Sequence, residues 1–431
     1  VAKSSLALLR RLKMDVSPLR ASRDFRLLLG SAAITMFGSF ITLVAVPYQM
    51  KELTGSYVAV GLVSVAEFVP MVVCGLWGGA IADSMDRRKI IITTEIGLCL
   101  AALMLMVNAL LPNPQVWVLY VVGALTAGLY SVRGPSEQAV INQVLRLDQM
   151  GAAFAIQGLV RSAGGVAGPA LGGLIVVSFG VALSYGINVV TFLISLVLLF
   201  RVAPMARRTA VTQPASLASL VEGVRYAVRR PDLMGTYVVD IAAMFFAMSN
   251  ALYPFMAEQF GGEHEQIALG LLYASAGIGS VLASVTSGWT AHVHRHGLAV
   301  IVAALLWGAA VAVASVMPNI WLMIVFLTLA GGADMISGIF RGTIWNQTIP
   351  DEYRGRLAGI ELLSYSTGPM LGNARASAMA ELGGTRFSLG AGGLLCMGGV
   401  LAMAAILPKF RRYDARTDEH AEAQRVARAS A

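Results

Sequence analysis

The chain has 431 residues, of which 57% are hydrophobic and only 13% charged, with a formal net charge of +8. Ordinary soluble domains carry about a quarter charged residues, so a water-soluble fold is excluded. The positive charge flanks apolar segments and forms no contiguous patch, which argues against nucleic acid as a partner. The three cysteines, Cys74, Cys99 and Cys396, lie in apolar runs without paired spacing and read as core residues.

A basic stretch (Arg10, Arg11, Lys13, Arg20, Arg23, Arg26) precedes the first apolar block and is followed by no small-residue cleavage site, so no cleavable signal is expected. A helix needs about 20 apolar residues to cross a bilayer core about 30 Å thick. Such blocks run over 26–50, 57–81, 90–111, 116–137, 151–178 and 181–203. They resume at 233–257, 266–289, 297–317, 319–341, 356–381 and 385–407. The pattern predicts an all-α membrane protein of twelve transmembrane helices in two six-helix bundles. Its organisation is a basic N-terminus over 1–25, bundles over 26–203 and 233–408, a linker over 204–232 and a tail over 409–431. The linker portion SLASLVEGVRYAV is amphipathic and predicts an interfacial helix. The tail is charged and Ala-rich, which predicts disorder.

Basic residues occupy every second loop: Arg87, Arg88 and Lys89, then Arg146, the linker, Arg295, Arg354 and Arg356, and Lys409, Arg411 and Arg412. Only Lys51 and Arg386 break the alternation. This positive-inside pattern predicts a multi-pass bacterial plasma-membrane or inner-membrane protein with both termini cytoplasmic. The halves also resemble each other. Ala59-Val60-Gly61-Leu62 matches Ala268-Leu269-Gly270-Leu271, Asn142-Gln143 matches Asn346-Gln347, and Gly164 and Gly168 match Gly368 and Gly372. Weak internal symmetry of this kind marks transporters whose two bundles rock around a midplane site.

The loop after the second block reads Gly79-Ala-Ile-Ala-Asp83-Ser84-Met85-Asp86-Arg87-Arg88-Lys89. A helix-end glycine, an acid and a basic cluster together suit a gating loop, or a plain positive-inside anchor. The loop resembles the signature of the major facilitator superfamily, with Ser84 in place of a basic residue and Asp86 in place of a glycine. In the fifth block Gly164, Gly168, Pro169, Gly172 and Gly173 allow close helix approach and a bend. They are similar to the superfamily's antiporter motif, echoed by Thr367-Gly368-Pro369 and Gly372 in block eleven; generic helix packing is the other reading. Tyr130, Arg133-Gly-Pro135, Gln157, Arg161, Tyr253-Pro254, Tyr273-Ala274 and Ala291-His292 resemble the superfamily's siderophore-exporter branch, enterobactin exporters included. That resemblance implies efflux of a small amphiphilic molecule by proton antiport, a siderophore first and a macrolide or other drug second.

Charged side chains inside spanning helices are costly and usually face a cavity or a partner. Glu67, Glu95, Arg161, Asp240, Asp334, Glu361 and Arg375 are therefore the candidates for substrate binding or coupling, each also open to a structural ion pair. Arg161, near mid-membrane, suits an anionic or catecholate substrate. Proton coupling calls for a buried carboxylate, with Asp240 and Asp334 leading. Arg133 is a charge partner, and Arg133, Glu137 and Arg341 lie close enough to helix ends to snorkel. His292, His294 and His296 read as a solvated turn, and no metal site is expected. No Walker loop, nucleophile elbow or His-Glu-x-x-His is present. Neither an enzyme nor a cofactor is expected, only a proton gradient, a lipid bilayer, a small-molecule substrate and a monomeric chain. An importer or a non-transporting sensor on the same fold are the rival readings.

Overall fold

The computed structural model describes residues 15–84, 86–203, 222, 225–350 and 354–429, with side chains for all of these except 76–84, 147, 354–356, 358–363 and 427–429. These residues form helices and turns and contain no strand. A bilayer core offers no water to backbone groups, so each crossing must satisfy its own hydrogen bonds, and a helix does so.

Six helices make up the first half: α1 (Arg23–Thr54), α2 (Tyr57–Ser84), α3 (Arg87–Leu110), α4 (Val116–Val144), α5 (Met150–Phe179) and α6 (Val181–Phe200). The second half begins with α7, which comes in two pieces (Pro231–Ala247 and Tyr253–Gly261), followed by α8 (Glu265–Val285), α9 (His296–Ser315) and α10 (Ile320–Thr348). The last apolar stretch is a 53-residue helical run, Arg354–Ile406, with Gly384 at φ 79°. At 1.5 Å per residue it would span about 80 Å, far more than one bilayer core. Gly384, in a region only glycine occupies cheaply, divides it into α11 (354–383) and α12 (385–406). Ten segments are apolar and long enough to span a membrane, and two of them, Pro231–Val285 and Ser364–Ile406, each contain such a turn. The described residues therefore make twelve crossings.

Within the first half α1 packs on α5 and α6, α2 on α4, and α3 on α4 and α6; within the second, α7 packs on α11, α8 on α10 and α9 on α10 and α12. Between halves the main seams are α5 against α8 and α2 against α11. One end of the molecule, called here the basic face, gathers Arg88, whose Nη2 donates to Phe200 O at 3.0 Å, and Asp24, which accepts from Ala203 N–H. The opposite end is the distal face.

Two expectations fail at the basic face. The tail is ordered: Phe410 is fully buried, Tyr413 donates to Gln347 Oε1 at 3.0 Å, and a helix, α13 (Glu419–Ala429), follows. The His420 ring lies 3.0 Å from Thr348 O. Low hydrophobicity overall conceals that Phe410 fills a groove whose walls are Gly235 and Gly297, where any side chain would collide with it. His296 likewise is buried, not solvated, and stacks near Phe340 and Tyr413. Of the expected interfacial helix, residues 216–228, only 222 and 225–228 are described, and there Ala227 packs with Leu233, Tyr237 and Trp345.

Candidate functional site

Six of the intramembrane charges gather into two clusters. In the first half Glu95 (α3) is ion-paired with Arg133 (α4), and both are buried. Ser195 (α6) donates to Glu95 Oε1, Ser31 (α1) lies 2.6 Å from Ser195 Oγ, and Glu137 stands 3.4 Å from Arg133 Nε. In the second half Asp240 (α7) is ion-paired with Arg341 (α10). Ser364 (α11) donates to Asp240 Oδ2 at 3.1 Å, and Asp334 lies 3.6 Å from Arg341 Nη2. The Arg341 guanidinium also sits over the Tyr365 ring at 5.6 Å.

Neither arginine snorkels. Arg133 and Arg341 are 4% and 2% exposed, held inward by carboxylates on neighbouring helices. From sequence Arg341 stood out only as a residue near a helix end; at the repeat offset that pairs Asn142-Gln143 with Asn346-Gln347 it falls one helical turn from the position matching Arg133. The clusters differ in access. Glu95 is 0% exposed, whereas the Asp334 side chain is 34% exposed. Asp334 is the most exposed acid of the two clusters, ahead of Glu137 at 24%.

The space between the halves opens on the basic face. Along α5, Phe154, Gly158, Leu159, Arg161 and Ser162 are exposed, whereas Gly168, Pro169, Gly172, Gly173 and Val176 are buried. Along α8, Ala268 to Ala274 are mostly buried, while Leu282 and Val285 are exposed. The helices therefore meet at the distal end and diverge toward the other. Gly277 of α8 backs onto the carbonyl of Gly165, and Gly173 meets the backbone of Gly270. Four residues make one helical turn, so Arg161 lies a turn below Gly165, on the face that points to α1 and α8 where they part. No ion pair or hydrogen bond holds it among the described residues.

The glycine motif performs two packing tasks. Gly164, Gly168 and Gly172 admit Met36, Phe40 and Ile41 of α1, and Gly173 forms the seam with α8. Its echo does the same one repeat later, where Gly368 and Gly372 admit Met244 and Met248 of α7.

Glu67 is half-buried against Gly123 of α4 and has no ion-pair or hydrogen-bond partner among the described residues. Arg375 is bound to backbone oxygens of α7, with Nε donating to Phe245 O at 3.2 Å and Nη2 to Met248 O at 3.1 Å. Gly79 and Asp83 fall in the last turns of α2 and Glu361 in α11, with side chains outside the described residues. In the same loop Asp86 caps α3 by accepting from Arg88 N–H at 2.9 Å, and Lys89 is exposed. Arg87 is engaged in an interaction of its own.

Two bundles of six helices, seamed at one end and parted at the other around buried charges, define a transporter of the major facilitator fold. Solved structures agree on the fold. The nucleoside transporter NupG matches with TM-score 0.70 at 13% identity, over 91% of this chain and 100% of its own. The POT family transporter PepTSo matches with TM-score 0.69 at 13% identity, over 91% and 99%. The chain belongs to the transmembrane secretion effector family of that superfamily, whose model matches residues 14–430. It is similar to the enterobactin exporter EntS of Escherichia coli O1:K1, with 28% identity over 93% of this chain and 95% of that protein. The EntS protein of Escherichia fergusonii is similar to the same degree. These relationships make it an exporter-type membrane transporter, of a family that is not an enzyme class.

Proposed function

We propose that this transporter exports a small amphiphilic molecule, a siderophore first, from the cytoplasm in exchange for protons, with both termini cytoplasmic and the chain acting as a monomer. The observation that carries the substrate class is Arg161: a cation without an acidic partner among the described residues, exposed in the cleft between the halves. A lone guanidinium there suits a polyphenolic or carboxylate ligand, which it binds through paired donors, and the likeness to the enterobactin exporter supports the same class.

Coupling is assigned to the Asp240–Arg341–Asp334 cluster, with Glu67 as second candidate. A proton on Asp240 releases Arg341, and the loss of that pair changes how α7, α10 and α11 hold together. Alternating access then follows if the open and closed arrangements differ in their hold on the proton. Glu95 and Arg133, fully enclosed by four helices, serve to bind the first bundle together.

The deciding experiment is siderophore secretion by a deletion strain under iron limitation, with mass spectrometry of medium and cell extract. Accumulation inside and loss outside, reversed by the intact gene but not by an Arg161→Ala version, is the expected result. Unchanged secretion removes the siderophore, and drug susceptibility of the same strain then tests the multidrug alternative.

A further inference from the structure

Arg375 is a part-buried cation in a spanning helix that pairs with no acid among the described residues. Its contacts are instead the end of a broken helix. The first piece of α7 stops at Ala247, and Met248 leaves helical geometry at ψ 133°. A helix that ends inside the membrane leaves its last carbonyls unsatisfied, and these are expensive without water. Arg375 reaches from α11 to Phe245 O and Met248 O, and its positive charge sits at the negative end of the helix. Two residues earlier, Asn373 Oδ1 accepts from Ala251 N–H at 3.2 Å, on the far side of the break. The α11 backbone comes close enough for this because Gly372 lies against Met244 O and Phe245 O. Both sides of the break are therefore gripped by one turn of α11.

The second piece of α7 is what closes the distal face. Glu258 Oε2 lies 3.0 Å from Lys51 Nζ of α1, Gln259 Nε2 donates to Tyr57 OH of α2 at 2.9 Å, and Phe255 packs on Tyr57 with ring centroids 4.1 Å apart. The same turn of α11 also forms the seam with α2: Asn373 Nδ2 lies 3.5 Å from Ser64 Oγ, and Ser377 abuts Gly61. Parting of α2 from α11 thus moves the residues that hold the break in α7.

We propose that Arg375 is a positioning residue, a clasp on the α7 break that keeps the second piece of α7 latched over the distal end, and that its grip couples the α2–α11 seam to this gate. The inference concerns the gate and holds whichever small molecule is carried.

The test uses the full chain with Cys74, Cys99 and Cys396 replaced by serine and Ala268→Cys as reporter. Ala268 is fully buried near the distal end of α8. Labelling by a membrane-impermeant maleimide added from the distal side reads how often the gate opens. Arg375→Met is expected to label at least about tenfold faster, the shift in an open–closed equilibrium that loss of even one of its two charge-assisted hydrogen bonds to the end of α7 produces. Arg375→Lys keeps the charge and three donors, accumulates in the membrane, and is expected to fall between the two. Transport of the proposed siderophore by vesicles should lose maximal rate with KM within about twofold. Labelling unchanged in both variants overturns the clasp, and a KM raised about tenfold beside it makes Arg375 a substrate contact. Failure of the siderophore assignment would leave the labelling result standing.

Discussion

Asp240 and Arg341 are both nearly inaccessible, and each is the other's principal counter-charge. Removing one partner of a buried pair leaves the other charge uncompensated, at a cost of about 3–5 kcal/mol. Asp240→Asn is therefore expected to lower the thermal stability of the purified transporter in detergent by that amount, since Asp334 at 3.6 Å is a distant substitute. Removing both, in Asp240→Asn with Arg341→Met, should recover part of the loss. Glu67→Gln breaks no ion pair and is expected to change stability by no more than about 0.5 kcal/mol. A loss of transport under an imposed pH gradient in that variant would give Glu67 the coupling role, and full proton-driven transport by Asp240→Asn would take it from Asp240.

The helices meet where side chains are missing. Gly173 and Gly270 bring the α5 and α8 backbones together: a Cβ on Gly173 would strike the main chain of Gly270, and one on Gly270 that of Ala170. Gly173→Val should hold the distal seam open, raising impermeant-maleimide labelling at a nearby buried position while the two bundles remain folded. Gly158 meets nothing within 4 Å, so Gly158→Ala should leave both labelling and transport unchanged. At the other end of the molecule Phe410 occupies the groove between Gly235 and Gly297. Phe410→Ala empties the space its ring fills against Gly235 and is expected to cost about 3–5 kcal/mol, read as a lower melting temperature. If the tail were a passive extension, the change would be within measurement error.

At the scale of the whole molecule the structure is closed at its distal face and open at its basic face. Lys51 and Arg386 are the two basic residues that depart from the alternation of charged loops, and both touch the second piece of α7. Lys51 pairs with Glu258, and the Arg386 guanidinium lies 4.7 Å from the Phe260 ring centre. Their breach of the topological pattern is thus a signature of the gate. Glu258 is half-exposed, so screening limits the Lys51–Glu258 pair to about 0.5–1 kcal/mol. Lys51→Glu should open the distal end a few-fold more often by the labelling assay, and Lys51→Glu with Glu258→Lys should restore it. If the double exchange behaves like the single, the pair is not a latch.

The sequence by itself determined the solvent, the number of crossings and the repeat, because hydrophobic length and the placement of charge are set residue by residue along the chain. It also marked Asp240, Asp334, Glu95, Arg161 and Arg375 as charges that need a reason to be in a membrane. Their reasons came only from the fold. Glu95 and Arg133 are 38 positions apart and Asp240 and Arg341 are 101 apart, and no periodicity within a helix says which neighbour a charge will face. Arg375 reads as another buried cation until α7 is seen to break beside it, since the break depends on α11 supplying donors across the gap. The tail misled for a related reason: its few apolar residues, Phe410 and Tyr413 above all, are too sparse to signal order, and the groove that receives them is made of glycines on α7 and α9. Local composition fixes where each segment resides, but partner choice is a property of helices brought together from distant parts of the chain.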